Sequence, residues 1–173
     1  LADEDGMGTI SYQWVRGGSI ISGATDDSYT LRQSDVGTVI RVQAHYTDRQ
    51  GTRESVISSA TDGVSNVNDA PTGTVTITGT ATEDETLTAS HDLSDEDGLG
   101  EIGYQWLRDG TEITGATGET YTLTQADVGS TISVQASYTD QQGTDEAVTS
   151  DATSAVANVN DAPTGTVTIT NTA

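Results

Sequence analysis

The residues best equipped for chemistry are two acidic tetrapeptides, Asp3-Glu4-Asp5-Gly6 and Asp95-Glu96-Asp97-Gly98. Carboxylates two apart in a glycine-ended loop put several hard oxygens into one short stretch. The glycine also lets backbone carbonyls turn toward an ion. This is the donor chemistry of calcium, which collects about six to eight oxygens from carboxylates, amide and backbone carbonyls and water. Asn68-Asp69-Ala70-Pro71 adds a second acidic motif and recurs as Asn160-Asp161-Ala162-Pro163, while Asp48 and Asp140 open a third. Asp95 and Asp97 would also satisfy the demand of glycoside hydrolysis for two carboxylates. No cleft-forming pattern and no Ser/His/Asp arrangement accompanies them, and neighbours this close in one loop suit metal ligation better. His45 is replaced by Ser137 in the second copy, and His91 has no counterpart, so neither histidine belongs to a site built into every repeat. The chain reads as non-enzymatic.

Composition narrows the partners. Six basic residues stand against 27 acidic ones, for a net charge of -21. Phosphate contacts need Lys and Arg, so nucleic acid is excluded as a partner, and an anionic membrane surface is disfavoured for the same reason. The charge keeps the chain soluble and self-repelling, and makes it a sink for divalent cations. There is no Cys, so disulfides and thiolate metal sites are absent. A secreted β-protein without disulfides needs another staple, and calcium is a common one. No signal peptide and no long apolar run is visible.

These acidic stretches recur because the chain repeats. Shifted by 92 residues it overlays itself, with Trp14 on Trp106, Asp48 on Asp140 and Pro71 on Pro163, and about two thirds of the overlapping positions are identical. The phase predicts a truncated repeat over 1–70 that lacks its first two strands. A complete repeat follows over 71–162, and the first strand of a following repeat over 163–173.

Within the complete repeat, alternation predicts strands at 74–78, 86–89, 102–108 and 121–123, a long strand from about Ile132 to Tyr138, and a last strand over 145–159. Asp109-Gly110 marks a tight hairpin, and 125–129 a compact turn. Leu87, Ala89, Ile132, Val134 and Ala136 should point inward, with Trp106 at the centre of the core. Seven or so short strands with regular turns predict an all-β fold of tandem immunoglobulin-like β-sandwich domains.

The phrases Tyr-Gln-Trp-Leu-Arg-Asp-Gly (104–110), Gly-Ala-Thr (115–117), Tyr-Thr-Leu-Thr-Gln-Ala-Asp-Val-Gly (121–129), Ser-Tyr-Thr-Asp (137–140) and Asn-Val-Asn-Asp-Ala-Pro (158–163) resemble tandem bacterial immunoglobulin-like repeats of large RTX-type secreted adhesins and surface proteins. The resemblance spans the whole chain. It implies an extended, calcium-stiffened spacer that carries adhesive or enzymatic modules away from the cell. The nonapeptide calcium motif of RTX proteins is not present.

In an immunoglobulin-like sandwich the loop after the second strand, the turn after the sixth and the incoming leader lie at one end. That topology predicts a calcium site with Asp69, Asp95, Asp97 and Asp140 as ligands, and Asn68 and Glu96 as further candidates. Asp3, Asp5 and Asp48 form the equivalent half-site without its leader, and Asp161, beside Asn160, a leader without its loops. Ordinary turn chemistry is the plainer alternative. The expected role is a calcium-rigidified spacer of a secreted or cell-surface adhesin or filament. Its partners would be neighbouring repeats of the same or an identical chain, with a host or surface ligand engaged through other domains. The alternative is a glycan- or protein-binding module, for which Tyr46 and Tyr138 are the aromatic candidates.

Overall fold

A computed structural model describes residues 1–170. The chain is all-β and forms two units, divided between Asn68 and Asp69. The division falls two residues before the expected boundary, because the Asp69 amide already donates to the second unit, at Asp97 Oδ2 (2.8 Å).

The first unit is one antiparallel sheet. It contains β1 (Ser11–Arg16), β2 (Ser19–Ile20), β3 (Ile40–Thr47) and β4 (Arg53–Ile57), in the order β2-β1-β3-β4. Only Val15, Ile40 and Ala44 among its apolar side chains are buried. Trp14 is half-buried, stacked on Tyr29 at 5.6 Å.

The second unit holds two sheets. One contains β5 (Val75–Thr78), β6 (Thr86–His91) and β9 (Thr120–Thr122), in the order β5-β6-β9. The other runs β11-β10-β7-β8, from β7 (Gly103–Arg108), β8 (Thr111–Glu112), β10 (Ile132–Thr139) and β11 (Asp145–Thr149). Leu87 and Ala89 from the first sheet meet Trp106, Ile132, Val134 and Ala136 from the second in one buried cluster. This is β-sandwich packing, with the inward residues as the alternation predicts. Trp106 is fully buried, stacks on Tyr121 and donates its indole N–H to the Gly118 carbonyl (2.8 Å). An aromatic of this size removes on the order of 200 Å² from water, about 5 kcal/mol at ~25 cal/mol per Å².

The registers of the two units are equivalent. Tyr12 pairs with Ala44 as Tyr104 pairs with Ala136, and Thr47 with Arg53 as Thr139 with Asp145. The Asp109-Gly110 hairpin has φ of 48° and 78°, both left-handed as a tight hairpin turn requires.

Two strand expectations change. The last strand stops at Thr149 rather than running to Val159. Beyond it, Ser150 Oγ accepts the Val134 amide and Thr153 Oγ1 accepts the Ile132 amide, each at 3.1 Å. Side-chain hydroxyls thus take the donors of β10 that a continuing ladder would use. The strand expected over 163–173 is also not formed within its described part: residues 163–170 are irregular and exposed. Among the described residues they have no partner strand, and residues 171–173 lie outside the described residues.

Candidate metal centre

The acidic loop between β6 and β7 is built by local turn chemistry. Asp95 Oδ1 accepts the Asp97 amide (2.8 Å), and the Gly98 amide returns to the Asp95 carbonyl (3.2 Å). Gly98 sits at φ 92°, and a Cβ there would lie 2.6 Å from Gln141 Cδ. Glycine is therefore required for its conformation, whereas the contact with the exposed, flexible Gln141 side chain could be relieved by moving that side chain.

That turn is organised by Asp140. Its Oδ1 accepts the amides of Gln142 and Thr144, both at 2.8 Å. The Thr144 N–H, helped by those of Gln142 and Gly143, outweighs burial and holds the Asp140 carboxyl below its ordinary value, so it stays ionised. Gln141 then donates its amide to the Gly98 carbonyl (3.2 Å), tying the turn to the loop. The leader arrives on the same loop. The Asp69 amide meets Asp97 Oδ2, and Thr72 and Ser94 exchange amide–carbonyl bonds of 2.8 and 2.9 Å. Leader, loop and turn thus converge within the second unit.

Asp97 and Asp140 are buried, at 2% and 5% exposure. Asp140 Oδ2 is the one buried side-chain polar atom without a hydrogen-bond partner among the described residues. An ionised carboxylate oxygen left that way is costly unless something else satisfies it. Asp95 is half-buried, and its Oδ2 accepts the Tyr138 hydroxyl at 2.6 Å. Burial, followed by the Asp95 carboxylate, pushes the Tyr138 phenol well above its ordinary range. Tyr138 is itself buried, which removes it as a surface for sugar stacking.

The remaining candidates are placed less centrally. Glu96 and the Asp69 side chain are exposed, and Asn68, also exposed, closes the first unit. In the first unit the loop and turn recur without the leader. Asp3 Oδ1 accepts the Asp5 amide (2.9 Å), Asp3 Oδ2 accepts the Tyr46 hydroxyl (2.9 Å), and the Arg49 amide meets the Gly6 carbonyl (3.1 Å). Asp48 Oδ1 accepts the amides of Gln50 and Thr52. Asn160 and Asp161 are exposed. Among the described residues, no three His, Cys, Asp or Glu side chains stand close enough together to form a ready cage. The oxygen-only donor set fits a hard cation. The three segments converge, but their carboxylates are not drawn in around one point.

Three further carboxylates escape sequence reasoning. Asp127 is fully buried between Arg108, Tyr121 and Thr124. Its Oδ1 meets Arg108 Nη2 at 2.6 Å and Nε at 2.8 Å, and its Oδ2 accepts the Thr124 amide and hydroxyl, both at 2.8 Å, and the Tyr121 hydroxyl at 3.0 Å. Burial pushes its pKa up, but these donors win and hold it below the usual value. Asp35 repeats the arrangement with Arg16, Tyr29 and the Arg32 amide. The available clue was the shared spacing of Arg16, Tyr29 and Asp35 with Arg108, Tyr121 and Asp127, Arg108 being the sole basic residue after position 68. Glu83, buried, accepts the Val159 amide at 3.0 Å across 76 residues of chain, and nothing local announces it.

No protein-family model matches the chain, and no curated protein matches it either.

Proposed function

We propose that the chain is a non-catalytic spacer of tandem immunoglobulin-like β-sandwich repeats, stiffened by calcium, from a secreted or cell-surface adhesin or filament. The observation that carries this reading is Asp140 Oδ2, a buried, ionised and unpartnered carboxylate oxygen where leader, loop and turn are tied together. Asp97, Asp140 and Asp95 would supply carboxylate oxygens, with Asp69 and Glu96 available from the exposed side and backbone carbonyls of the glycine-ended loop completing the shell. A cation there offsets the repulsion among clustered carboxylates. It also fastens the leader through which one repeat follows another, so length and stiffness become the working properties. The sequence periodicity, the acidic balance and the resemblance to adhesin repeats support the same role.

Calcium titration followed by thermal unfolding tests it. At a free calcium concentration about a hundred times the dissociation constant, a single site stabilises the folded state by about 2.7 kcal/mol. The melting temperature should rise with calcium, and Asp97→Asn or Asp140→Asn should blunt the rise. An unchanged melting temperature across the titration removes calcium from the reading. Scattering with and without chelator then tests the spacer role, which predicts a stiffer particle with calcium.

A further inference from the structure

The two copies of the repeat differ in charge at several positions, and a group of these falls on one exposed sheet face. In the first unit Arg41, His45 and Arg53 lie on the outward side of β3 and β4. The register sets Arg53 opposite Thr47 and His45 opposite Ser11 and Ser55. At the same places the second unit has Ser133, Ser137 and Asp145, and Glu101 replaces Thr9. Size changes with charge. Gly103 and Ser137 leave a shallow hollow of about 440 Å³ beside Glu101, Asp145 and Glu146. Ser11 and His45 reduce the matching hollow, beside Arg53, to about 110 Å³. The difference extends to whole units: five of the six basic residues lie in residues 1–68, and 18 of the 27 acidic residues lie beyond them.

From this we infer that the two faces are complementary docking surfaces between copies of this chain, the Arg41–His45–Arg53 face of one copy seating on the Glu101–Asp145 hollow of another, with Glu54 and its equivalent Glu146 common to both units. Bulk and positive charge on one face meet a hollow and negative charge on the other. Arg53, Glu101 and Asp145 are all exposed and open to a partner. Such a contact joins different patches on the two partners, so it is heterologous and suits lateral association of spacers. It works against the net charge of -21, so it is modest in strength and strongly dependent on salt.

The test is sedimentation velocity of the full chain over a concentration series, in chelator, so that the outcome does not depend on the calcium reading. At low ionic strength the weight-average mass should rise with concentration, and salt near 0.3 M should suppress that rise. Arg53→Asp and Asp145→Arg should each weaken association about tenfold or more, and the double variant R53D/D145R should restore it. Glu101→Arg, at a side chain outside the strand ladder, should weaken association like Asp145→Arg. Circular dichroism of each variant establishes that it is folded. A chain that stays monomeric at low salt overturns the inference. So does association indifferent to the single substitutions, or not rescued by the double reversal.

Discussion

Asp127→Asn changes one atom and should destabilise the second unit far more than a surface substitution would. Every group around the carboxylate is a donor: the Arg108 guanidinium, the Thr124 amide and hydroxyl, and the Tyr121 hydroxyl. Asparagine keeps one acceptor oxygen and turns the other into a second donor, facing donors. It also leaves Arg108 without its counter-charge. Removing one partner from a buried pair costs about 3–5 kcal/mol. Arg108, however, is 32% exposed and can be rehydrated, so the lower end applies, about 3 kcal/mol. For a unit of this size that lowers the melting temperature by about 12–24 °C. The assay is urea unfolding followed by the fluorescence of Trp106, in a Trp14→Phe background so that one indole reports. Arg108→Gln should cost less, because Asp127 keeps the Thr124 and Tyr121 donors, and the two substitutions should couple by about 1–3 kcal/mol. The folded Asp127 titrates below the unfolded carboxyl. Its stabilisation is therefore complete above about pH 4 and is lost as pH falls below that, so Asp127→Asn should flatten the acid limb of the stability profile. A destabilisation below about 1 kcal/mol, together with an unchanged acid limb, would refute the idea that this network braces the sandwich.

At alkaline pH the tyrosines should govern. Burial raises the phenols of Tyr104, Tyr121 and Tyr138, so the stability they confer is full below about pH 10 and is lost as pH climbs through their folded values. Absorbance titration should show these three ionising together with unfolding, and smooth titration at pH 10 in a folded protein would contradict their burial. Gly100→Ala should cost about 1–3 kcal/mol, because a Cβ there collides with the Thr139 backbone carbonyl, which cannot swing aside. Gly129→Ala meets no neighbour and pays only for its left-handed φ of 83°, about 1 kcal/mol, so the two substitutions should separate in a denaturant series.

The acidic loop was legible as a turn and its carboxylates as a candidate group because Asx turns are local: Asp95 reaches Asp97 two residues on, and Asp140 reaches Gln142 and Thr144. Their burial was not legible, because it comes from distant chain. Tyr138 lies 43 residues from Asp95, and the leader amide of Asp69 lies 28 from Asp97. The buried Asp127 looked like an ordinary residue of a compact turn for the same reason.

Sequence by itself determined the period of 92, the strands that alternate, the hairpin at Asp109-Gly110 and the inward set around Trp106. Tertiary structure decided which equivalent segments become strands at all. Thr-Val-Thr-Ile-Thr occurs at 74–78 and again at 166–170. The first contributes β5, paired to β6, while the second is irregular, with Val167 and Ile169 fully exposed. Tyr29 and Tyr121 sit in near-identical tripeptides, yet only Tyr121 lies in a strand, because only it has β6 alongside. Trp106 is sealed under a second sheet that the first unit does not form, and Trp14 remains half-buried. A strand's hydrogen bonds belong to its neighbour, so alternation announces that a segment is able to pair, and the fold determines whether it does.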